Sequence, residues 1–251
     1  MLQAHTTNET RTTARELKFL VTASQADAIR QWARSELSPD PFAGGEFHDE
    51  YATTSLYFDT PDLDVYHRRG SYRRSKYRIR RYGQAESVFL ERKLRTGTSL
   101  SKRRTTVDVS DLQRLSGPAD RGWSGYWFQQ RLELRRLLAT CQVSYQRVAR
   151  IGAMGSGGVR LTLDRDIRAI PQTEPAFAVE HGVTVSPNHQ ILELKFRRDL
   201  PPIFQTLIDG FELTPLTVSK YRLALEALGA PGEARALAQG YDTEEATLRD
   251  A

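Results

Sequence analysis

Cysteine and long hydrophobic runs are scarce in this sequence. Cys141 is the only cysteine in 251 residues, so an internal disulfide is excluded, and the sequence predicts a protein of the reducing cytoplasm. No run approaches the ~18 consecutive apolar residues that a membrane helix needs. Residues 1–13 contain no apolar segment of the kind found in signal peptides, and they are interpreted as a flexible N-terminal lead.

Motifs for several common kinds of active site are also absent. The five histidines show no metal-ligand spacing, and no Ser-His-Asp or Cys-His grouping can be argued from the sequence. Residues 155–158 (GSGG) are rich in glycine but lack the spacing of a phosphate-binding loop, so they predict a hairpin connection. Zinc enzymes, triad hydrolases and P-loop enzymes are therefore disfavoured.

Positive charge is abundant and unevenly distributed. The formal net charge is +5, which favours anionic partners such as phosphates, nucleic acid or a membrane surface. The basic residues concentrate between positions 68 and 104. No long linker or low-complexity tract divides the chain, so residues 14–228 are interpreted as one domain and residues 229–251 as a polar, acidic C-terminal tail.

The spacing of apolar residues predicts a mainly antiparallel sheet with a few helices. Strands are predicted near residues 13–22, 50–58, 74–83, 86–95, 102–109, 142–150, 158–166 and 189–197. Helices are predicted near residues 24–37, 124–140 and 201–228, the last interrupted in its middle. Ser24 and Asp27 predict a capping-box-like start for the first helix.

One face of these strands carries a recurring polar pattern. In residues 191–196 (ILELKF), Glu193 and Lys195 share a face because alternate residues of a strand point the same way. The same Glu-x-Lys spacing occurs twice more, and two other strands carry Arg-x-Arg or Lys-x-Arg. These pairs are Glu16 and Lys18, Glu91 and Lys93, Arg78 and Arg80, and Lys102 and Arg104. A face so rich in lysine and arginine differs from the mixed composition of an ordinary solvated face.

Two architectures fit this pattern equally well. An open sheet could pack its apolar face on the helices and leave the basic face in water. Alternatively, the sheet could close into a barrel with a basic interior. Two like charges ~6 Å apart cost about 3 kcal/mol at an effective dielectric of about 20, so an enclosed basic surface requires water, carboxylates or a polyanion between its charges.

Seven short motifs, in this order, resemble the VTC domain, the catalytic domain of the eukaryotic vacuolar transporter chaperone complex, which also has bacterial relatives. They are YFDTPDLDVY, KYRIRRYG, FLERK, KRR, VRLTLD, ILELKF and VSKYRLAL. The resemblance covers about residues 16–228, and the chain looks like a bacterial-type, stand-alone member. VTC domains are grouped with the CYTH-like triphosphate tunnel enzymes. The resemblance therefore implies an α+β fold with a closed, eight-stranded antiparallel β-barrel and surrounding helices.

The resemblance also implies a set of site residues inside a basic tunnel. The catalytic residues carried over by motif are Lys18, Arg78, Arg80, Lys93 and Lys195. The phosphate-binding residues carried over are Lys102, Arg147, Arg160, Ser219 and Lys220. Glu193 matches the glutamate that holds a divalent metal, for which Mn²⁺ or Mg²⁺ is expected.

The function implied by the resemblance is that of a polyphosphate polymerase, which transfers the γ-phosphate of ATP to a growing chain. CYTH triphosphatases carry Glu-x-Glu-x-Lys on the first strand, whereas this chain has Ala14, Glu16 and Lys18. The missing carboxylate favours the polymerase over a triphosphatase or polyphosphatase. A non-catalytic module that binds polyphosphate or inositol phosphates remains a third alternative.

The expected partners follow from the same reasoning. ATP and polyphosphate, or another polyanionic phosphate, are expected as ligands. Nucleic acid is not expected, because the basic residues alternate with aliphatic ones on strands and no exposed aromatic stacking residues accompany them. The chain has no membrane segment of its own, so export of a polymer would need a separate membrane-protein partner.

Overall fold

The computed structural model describes residues 7–12, 14–96, 99–154, 157–179 and 181–230; for residues 7–12, 14, 96, 99, 100, 154 and 157 it describes the backbone alone. Most of the predicted acidic tail therefore lies outside the described residues, as do two residues of the predicted GSGG hairpin loop. No helix among the described residues is long and apolar enough to cross a membrane.

The described residues form an α+β fold of eleven strands and four helices. The strands are β1 (Thr7–Thr12), β2 (Ala14–Val21), β3 (Ser38–Pro39), β4 (Glu50–Asp59), β5 (Ser75–Tyr82), β6 (Ser87–Thr96), β7 (Ser99–Asp108), β8 (Leu138–Met154), β9 (Gly157–Pro171), β10 (Val183–Thr184) and β11 (Gln190–Arg197). The helices are α1 (Ala23–Glu36), α2 (Tyr126–Leu134), α3 (Pro202–Gly210) and α4 (Lys220–Ala227). Two short 3₁₀ helices span Gly70–Arg74 and Val109–Ser116.

The predicted strands and the interrupted C-terminal helix are confirmed, but the predicted helix near residues 124–140 is too long. Helix α2 ends at Leu134, and Arg136 takes a left-handed backbone conformation with φ of 50°. Leu138 already pairs with Asp59 as the start of β8. The chain therefore reverses direction where the apolar pattern alone continued as a helix.

Two details at the N-terminal end differ from the sequence-based expectations. Residues 7–12, assigned to the flexible lead, form the edge strand β1 against β7. Helix α1 is capped by Thr22 instead of Ser24: the Thr22 hydroxyl accepts from the Gln25 backbone, and the Gln25 side chain accepts from the Thr22 backbone. This reciprocal pair is the capping box, displaced by two residues from its predicted position.

All strand pairs in the sheet are antiparallel. The order of the main strands is β1-β7-β6-β5-β4-β8-β9-β11-β2, with β10 added to β9 and β3 added to β8. Strands β8 and β9 form the longest ladder, from Cys141↔Pro171 to Met154↔Gly157. These two strands are neighbours in the sheet, and the remaining main strands extend from them on either side.

The predicted closed eight-stranded barrel is wrong, because the sheet is open between β2 and the β1–β7 end. The free edge of β7 is occupied by β1. The free edge of β2 is covered by the segment before α4, where Leu216 N donates to Lys18 O at 2.7 Å. In the described residues, no strand joins these two edges. The two ends of the strand order, β1 and β2, are therefore not paired with each other in the described residues.

The open sheet is nevertheless strongly curved. Strands β2 and β5 are five steps apart in the sheet order, which would be about 24 Å in a flat sheet. Yet Lys18 of β2 donates to Val218 O at 3.1 Å, and Lys76 of β5 donates to the neighbouring Ser219 Oγ at 3.0 Å. Curvature therefore brings the polar side chains of distant strands to one concave surface.

The convex side of the sheet is apolar and is covered by helices. On one half, Phe128 of α2 packs edge-on against Phe58, with ring centroids 5.6 Å apart. On the other half, Ile29 of α1 and Phe204 of α3 are fully buried in a cluster that includes Phe19. Each such buried side chain contributes roughly 1.5–3 kcal/mol. Burial of the apolar positions fixes the strand register and therefore holds the alternate, charged positions on the concave side.

Asp59, at the end of β4, anchors α4 to the sheet. Its carboxylate accepts from the backbone N–H groups of Thr60, Val65 and Tyr66 at 2.7–2.9 Å and from the Tyr221 hydroxyl at 2.5 Å. Asp59 is fully buried. Because Tyr221 lies in the first turn of α4, this contact fixes where that helix begins.

Replacing Asp59 by asparagine is expected to lower the free energy of unfolding by about 1–3 kcal/mol, because a buried carboxamide cannot accept from all four donors. Thermal or urea unfolding would measure the change. Asp62→Asn, at an exposed position in the same loop, is the control and should be nearly neutral. Equal stabilities for the two variants would contradict the anchoring role.

Candidate active site

The concave surface of the sheet, called the inner face below, gathers most of the charged side chains singled out in the sequence. It comprises Glu16, Lys18, Lys76, Arg78, Arg80, Glu91, Lys93, Lys102, Arg104, Arg147, Arg160, Asp164, Glu193 and Lys195, with Ser219 and Lys220 at the start of α4. Every residue expected in the site from the sequence lies on this surface. Cations outnumber carboxylates, so the surface as a whole is positive.

Glu193 lies at the centre of a group of lysines. Its carboxylate is 3.1 Å from Lys220 Nζ, 3.4 Å from Lys195 Nζ and 3.9 Å from Lys18 Nζ. Burial would raise the pKa of this carboxyl group, but the three ammonium groups outweigh burial and hold the pKa well below its usual range. Glu193 is therefore ionised at neutral pH.

Glu16 joins the same group from the neighbouring strand. It lies 3.0 Å from Lys18 Nζ and 3.4 Å from Lys195 Nζ. In the β2–β11 register, Glu193 is opposite Lys18 and Lys195 is opposite Glu16, so the two pairs alternate in sign across the ladder. Burial raises the pKa of Glu16, but these lysines outweigh that effect and the net shift is downward.

Asp164 forms the most buried ion cluster of the inner face. Arg147 donates to both of its oxygens, at 2.6 and 2.8 Å, and Lys220 Nζ lies at 2.5 Å. The side chain of Asp164 is fully buried, and those of Arg147 and Lys220 are 5% and 8% exposed. The bidentate geometry fixes the Arg147 guanidinium in one orientation.

Glu91 neutralises a second group of cations on β5, β6 and β7. Arg78 donates to it at 2.7 Å, Lys102 lies at 2.8 Å, and Arg104 Nε donates at 2.6 Å. Burial would raise the pKa of Glu91, but these cations keep it well below its usual value. One buried carboxylate thus contacts three positive side chains, and the group keeps a net positive charge.

Three cations of the inner face form no ion pair within the described part of the chain: Lys76, Arg80 and Lys93. Lys76 donates to Ser219 Oγ, and Arg80 donates to Ser55 Oγ at 3.1 Å and to the Tyr145 hydroxyl at 3.2 Å. Burial lowers the pKa of Lys76 to about 7, and neighbouring cations, Lys18 first, add to that shift. The pKa of Lys93 is lowered as well, with burial as the main cause. When protonated, these three side chains carry positive charge that no described carboxylate pairs with. An anion beside them would therefore be stabilising.

Arg160 and Ser219 occupy the periphery of the inner face. Arg160 is bound by Asp40 at 2.7 Å and by the Tyr51 hydroxyl at 2.9 Å, so a residue far along the chain already neutralises it. The Ser219 side chain makes no capping hydrogen bond with α4, and its hydroxyl instead accepts from Lys76. The Ser219 side chain therefore faces the inner face instead of capping the N-terminus of α4.

A divalent metal would find only a small donor set on the inner face. Among the described residues, no group of three or more His, Cys, Asp or Glu side chains is arranged to hold a metal. Glu16 and Glu193 are two oxygen donors that contact the same lysines. Such a pair fits Mg²⁺ or a similar hard cation, which protein sites commonly hold through one or two carboxylates together with substrate phosphates.

Several residues of this surface were not among the expected site residues. Asp164 and Lys76 are two of them, and Glu16, Glu91 and Arg104 were predicted only to share the polar face. The period-two alternation would have placed all five on the inner face. No sequence signal pointed to Asp40 or Tyr51, because their contacts with Arg160 arise from the fold alone.

The VTC domain family model matches residues 13–229, which is nearly the whole of the described chain. This chain belongs to the VTC domain family. The resemblance noted in the sequence is thereby confirmed, while the closed barrel that it implied is not. No curated protein matches the chain.

Solved structures show what this VTC domain protein is similar to in fold. A Bacillus halodurans protein described as a candidate adenylate cyclase has a TM-score of 0.52 and 14% identity, covering 83% of this chain and 95% of its own. A candidate adenylyl cyclase from Hippeastrum, described as having a dominant triphosphatase activity, has a TM-score of 0.47 and 16% identity, covering 84% and 94%. A Pyrococcus horikoshii OT3 protein has a TM-score of 0.44 and 14% identity, covering 85% and 98%. The first of these shows that the fold is shared.

The lowered pKa of Lys76 leads to an expected pH dependence of phosphate binding. Free Lys76 loses its proton as the pH rises through about 7, and a bound phosphate would stabilise the protonated form. Tripolyphosphate binding above pH 7 should therefore take up a proton, and the affinity should fall as the pH rises. Calorimetry in buffers of different ionisation enthalpy measures this uptake.

The wild type is compared with Lys76→Met. Protonation of tripolyphosphate itself contributes equally to both measurements, so the difference in proton uptake between the two proteins reports on Lys76. The variant should bind more weakly at low pH and should lose the extra proton uptake. The same uptake in both proteins would show that Lys76 does not meet the ligand.

Proposed function

We propose that this protein is a metal-dependent polyphosphate polymerase that transfers the γ-phosphate of ATP to a growing polyphosphate chain on the inner face. Membership of the VTC family supports a phosphate-handling enzyme. The observation that carries the proposal is the set of unpaired cations Lys76, Arg80 and Lys93 beside cations that are already balanced by carboxylates. A linear chain of phosphates would supply the missing negative charge along this surface.

For this reaction the protein needs mainly to position the two phosphate groups and to stabilise their negative charge. A terminal phosphate oxygen of the chain attacks the γ-phosphorus of ATP, a new P–O bond forms, and the bond to the β–γ bridging oxygen breaks to release ADP. The attacking oxygen is already ionised, so no general base is needed. Catalysis then depends on alignment and on stabilising charge in a loose transition state.

The proposed roles follow from the contacts of each side chain. Arg78 and Arg80 offer planar guanidinium groups for phosphate oxygens, whereas Lys18, Lys93 and Lys195 act as point charges. Arg147 and Lys220 are already bound to Asp164, so they contribute positive potential and hold the carboxylates in place. The further proposed phosphate contacts are Lys102, Arg160 and Ser219.

A divalent cation, Mn²⁺ or Mg²⁺, is proposed as the cofactor, held by Glu193 with help from Glu16. When bound, it would supply further charge neutralisation to phosphate oxygens. For these glutamates to take a metal, the lysines that now contact them would turn towards the phosphates. ATP and polyphosphate are the proposed partners, and a cytoplasmic setting remains part of the proposal.

The experiment incubates the purified protein with γ-³²P-ATP and Mn²⁺ and separates the products on a polyacrylamide gel. The proposal expects a ladder of labelled polymer that is lost in Lys195→Ala and kept in Arg15→Ala. Lys195 faces the inner carboxylates, whereas Arg15 is exposed on the opposite face of the adjacent strand β2.

If free phosphate forms without a ladder, the protein is a hydrolase that cleaves triphosphate or polyphosphate, and the polymerase proposal is wrong. Absence of turnover, together with tight polyphosphate binding, would leave a binding module. Retention of the ladder in Lys195→Ala would remove the inner face from the reaction altogether.

A further inference from the structure

A second basic surface lies outside the inner face, around the 3₁₀ helix Gly70–Arg74 and helix α2. Two adjoining cavities of ≈ 370 and ≈ 310 Å³ share Ser71 and Arg74 in their walls. Both volumes are at the small end of the range for ligand pockets. The arginines that line this surface, called the outer arginine cleft below, are Arg68, Arg73, Arg74, Arg92, Arg131 and Arg135.

The cleft and the inner face are on opposite sides of the sheet. Ser75 and Tyr77 of β5 line the cleft, whereas Lys76 between them points to Ser219 on the inner face. Arg92 is paired with Tyr77 in the β5–β6 register and therefore shares its side. The cleft is thus a separate site that happens to use the same two strands.

Arg73, Arg74 and Arg131 in the walls of the cleft form no ion pair within the described part of the chain. No aspartate or glutamate is among the described residues that line either cavity. Arg135 contacts neutral groups: it donates to Ser71 Oγ at 3.1 Å and stacks on the Tyr72 ring at 4.2 Å. On the inner face, by contrast, three cations contact the carboxylate of Glu91. Arg73, Arg74 and Arg131 repel one another, and an anion between them would relieve this repulsion.

Unpartnered polar atoms in the cleft point to a ligand with hydrogen-bond acceptors. Ser75 is 4% exposed and lines the cleft, and its buried hydroxyl has no hydrogen-bond partner among the described residues. In the same part of the chain, the buried Nε of Arg135 also lacks a partner. Buried polar atoms are normally hydrogen-bonded, so these two are best explained as donors for a ligand that carries oxygen acceptors.

The shape and chemistry of the cleft favour a phosphate chain over a nucleotide base or nucleic acid. The Tyr72 ring is already covered by Arg135, and Tyr77 is buried against Phe128, so neither ring is open for base stacking. Arg68, in the wall of the cleft, is near enough to Lys76 of the inner face to contribute to lowering its pKa. An elongated polyanion could therefore follow arginines from one site to the other.

We propose that the outer arginine cleft binds linear polyphosphate, as a second site for the part of the chain that extends beyond the inner face. The identity of this ligand rests on the proposed function, whereas the existence of an anion site rests on the cleft itself. Arg74, Arg131 and Arg135 contact phosphate oxygens, and Ser75 donates a hydrogen bond to them. The cleft would hold a long product during repeated additions.

The test compares long-chain polyphosphate with tripolyphosphate in binding titrations at fixed ionic strength. The variant is Arg74→Glu combined with Arg131→Glu, because both side chains are exposed and neither forms an ion pair or side-chain hydrogen bond within the described residues. The expected result is about a tenfold or greater loss of affinity for the long chain, with tripolyphosphate affinity unchanged, since the short ligand remains on the inner face. Arg15→Glu with Arg121→Glu makes the same change in net charge at exposed sites outside the cleft and should preserve both affinities.

Three results would overturn the proposal. They are unchanged affinity for the long chain, an equal loss for both ligands, and an equal loss in the control variant. Preferential binding of a single-stranded oligonucleotide at the cleft would overturn the choice of ligand. A different result would show that the proposed function itself is wrong: the wild-type protein would bind no tripolyphosphate or would make no polymer.

Discussion

Replacing Asp164 by asparagine should lower the free energy of unfolding by about 3–5 kcal/mol, the largest loss of stability expected on the inner face. The change leaves the Arg147 guanidinium buried without its bidentate carboxylate and takes one of the two carboxylates from Lys220. In a protein of this size, each kcal/mol corresponds to roughly 2–4 °C in melting temperature. Thermal unfolding without ligand measures the effect directly.

The pH dependence of the same variant gives a second readout. Burial raises the pKa of Asp164, but Arg147 and Lys220 outweigh burial and lower it. A carboxyl group with a lowered native pKa stabilises the fold above its unfolded pKa of about 4, and this stability is lost as the pH falls. Wild type should therefore lose stability in acid more steeply than Asp164→Asn.

Asp166→Asn is the matched control, because Asp166 is on the same strand with a side chain that is 61% exposed. Its effect should stay within about 0.5 kcal/mol. Tripolyphosphate should raise the melting temperature of Asp164→Asn more than that of wild type, since an anion can replace the lost carboxylate beside Arg147. Equal melting temperatures for Asp164→Asn and Asp166→Asn would contradict the buried ion cluster.

Replacing Arg80 by methionine should lower the rate of phosphate transfer by about 10²–10³-fold while changing the melting temperature by only a few degrees. Arg80 is 7% exposed and is hydrogen-bonded to neutral oxygens alone, Ser55 Oγ and the Tyr145 hydroxyl. Removing it costs these two hydrogen bonds but also relieves a buried charge that has no carboxylate partner. Stability and activity should therefore respond very differently.

The control for this variant is Arg81→Met at the next position. Arg81 turns away from the inner face and donates to the backbone oxygens of Gln84 and Ala85. Its loss should leave the transfer rate nearly unchanged and should change the free energy of unfolding by no more than about 0.5 kcal/mol, the ordinary effect of a surface substitution. A rate loss in Arg81→Met as large as in Arg80→Met would mean that general basicity, and not the inner face, controls the reaction.

Local periodicity predicted much of the sheet because each strand has one apolar side. In β11, Leu192 and Leu194 are buried while Glu193 and Lys195 face the inner surface, and this alternation is visible in the sequence. The openness of the sheet could not be predicted in the same way. Which strands end the sheet is decided by long-range pairing, such as that of β1 with β7, and such pairing has no local signal.

For the candidate site, too, some features could be predicted from the sequence and others could not. Alternation placed Lys18, Glu91 and Lys93 on one surface, but it did not show which charges would neutralise each other. Distances across several strands show that Glu91 binds Arg78, whereas Lys93 has no carboxylate partner among the described residues. The unpaired cations, which carry the functional proposal, are therefore visible only in the folded protein.

The most direct test of the account is a crystal structure of the protein with tripolyphosphate and Mn²⁺. The account predicts phosphate oxygens on the inner face, within hydrogen-bond distance, about 2.7–3.2 Å, of Lys76, Arg80 and Lys93, which now lack carboxylate partners. Tripolyphosphate bound elsewhere, with the inner ion pairs unchanged and those three side chains untouched, would contradict it.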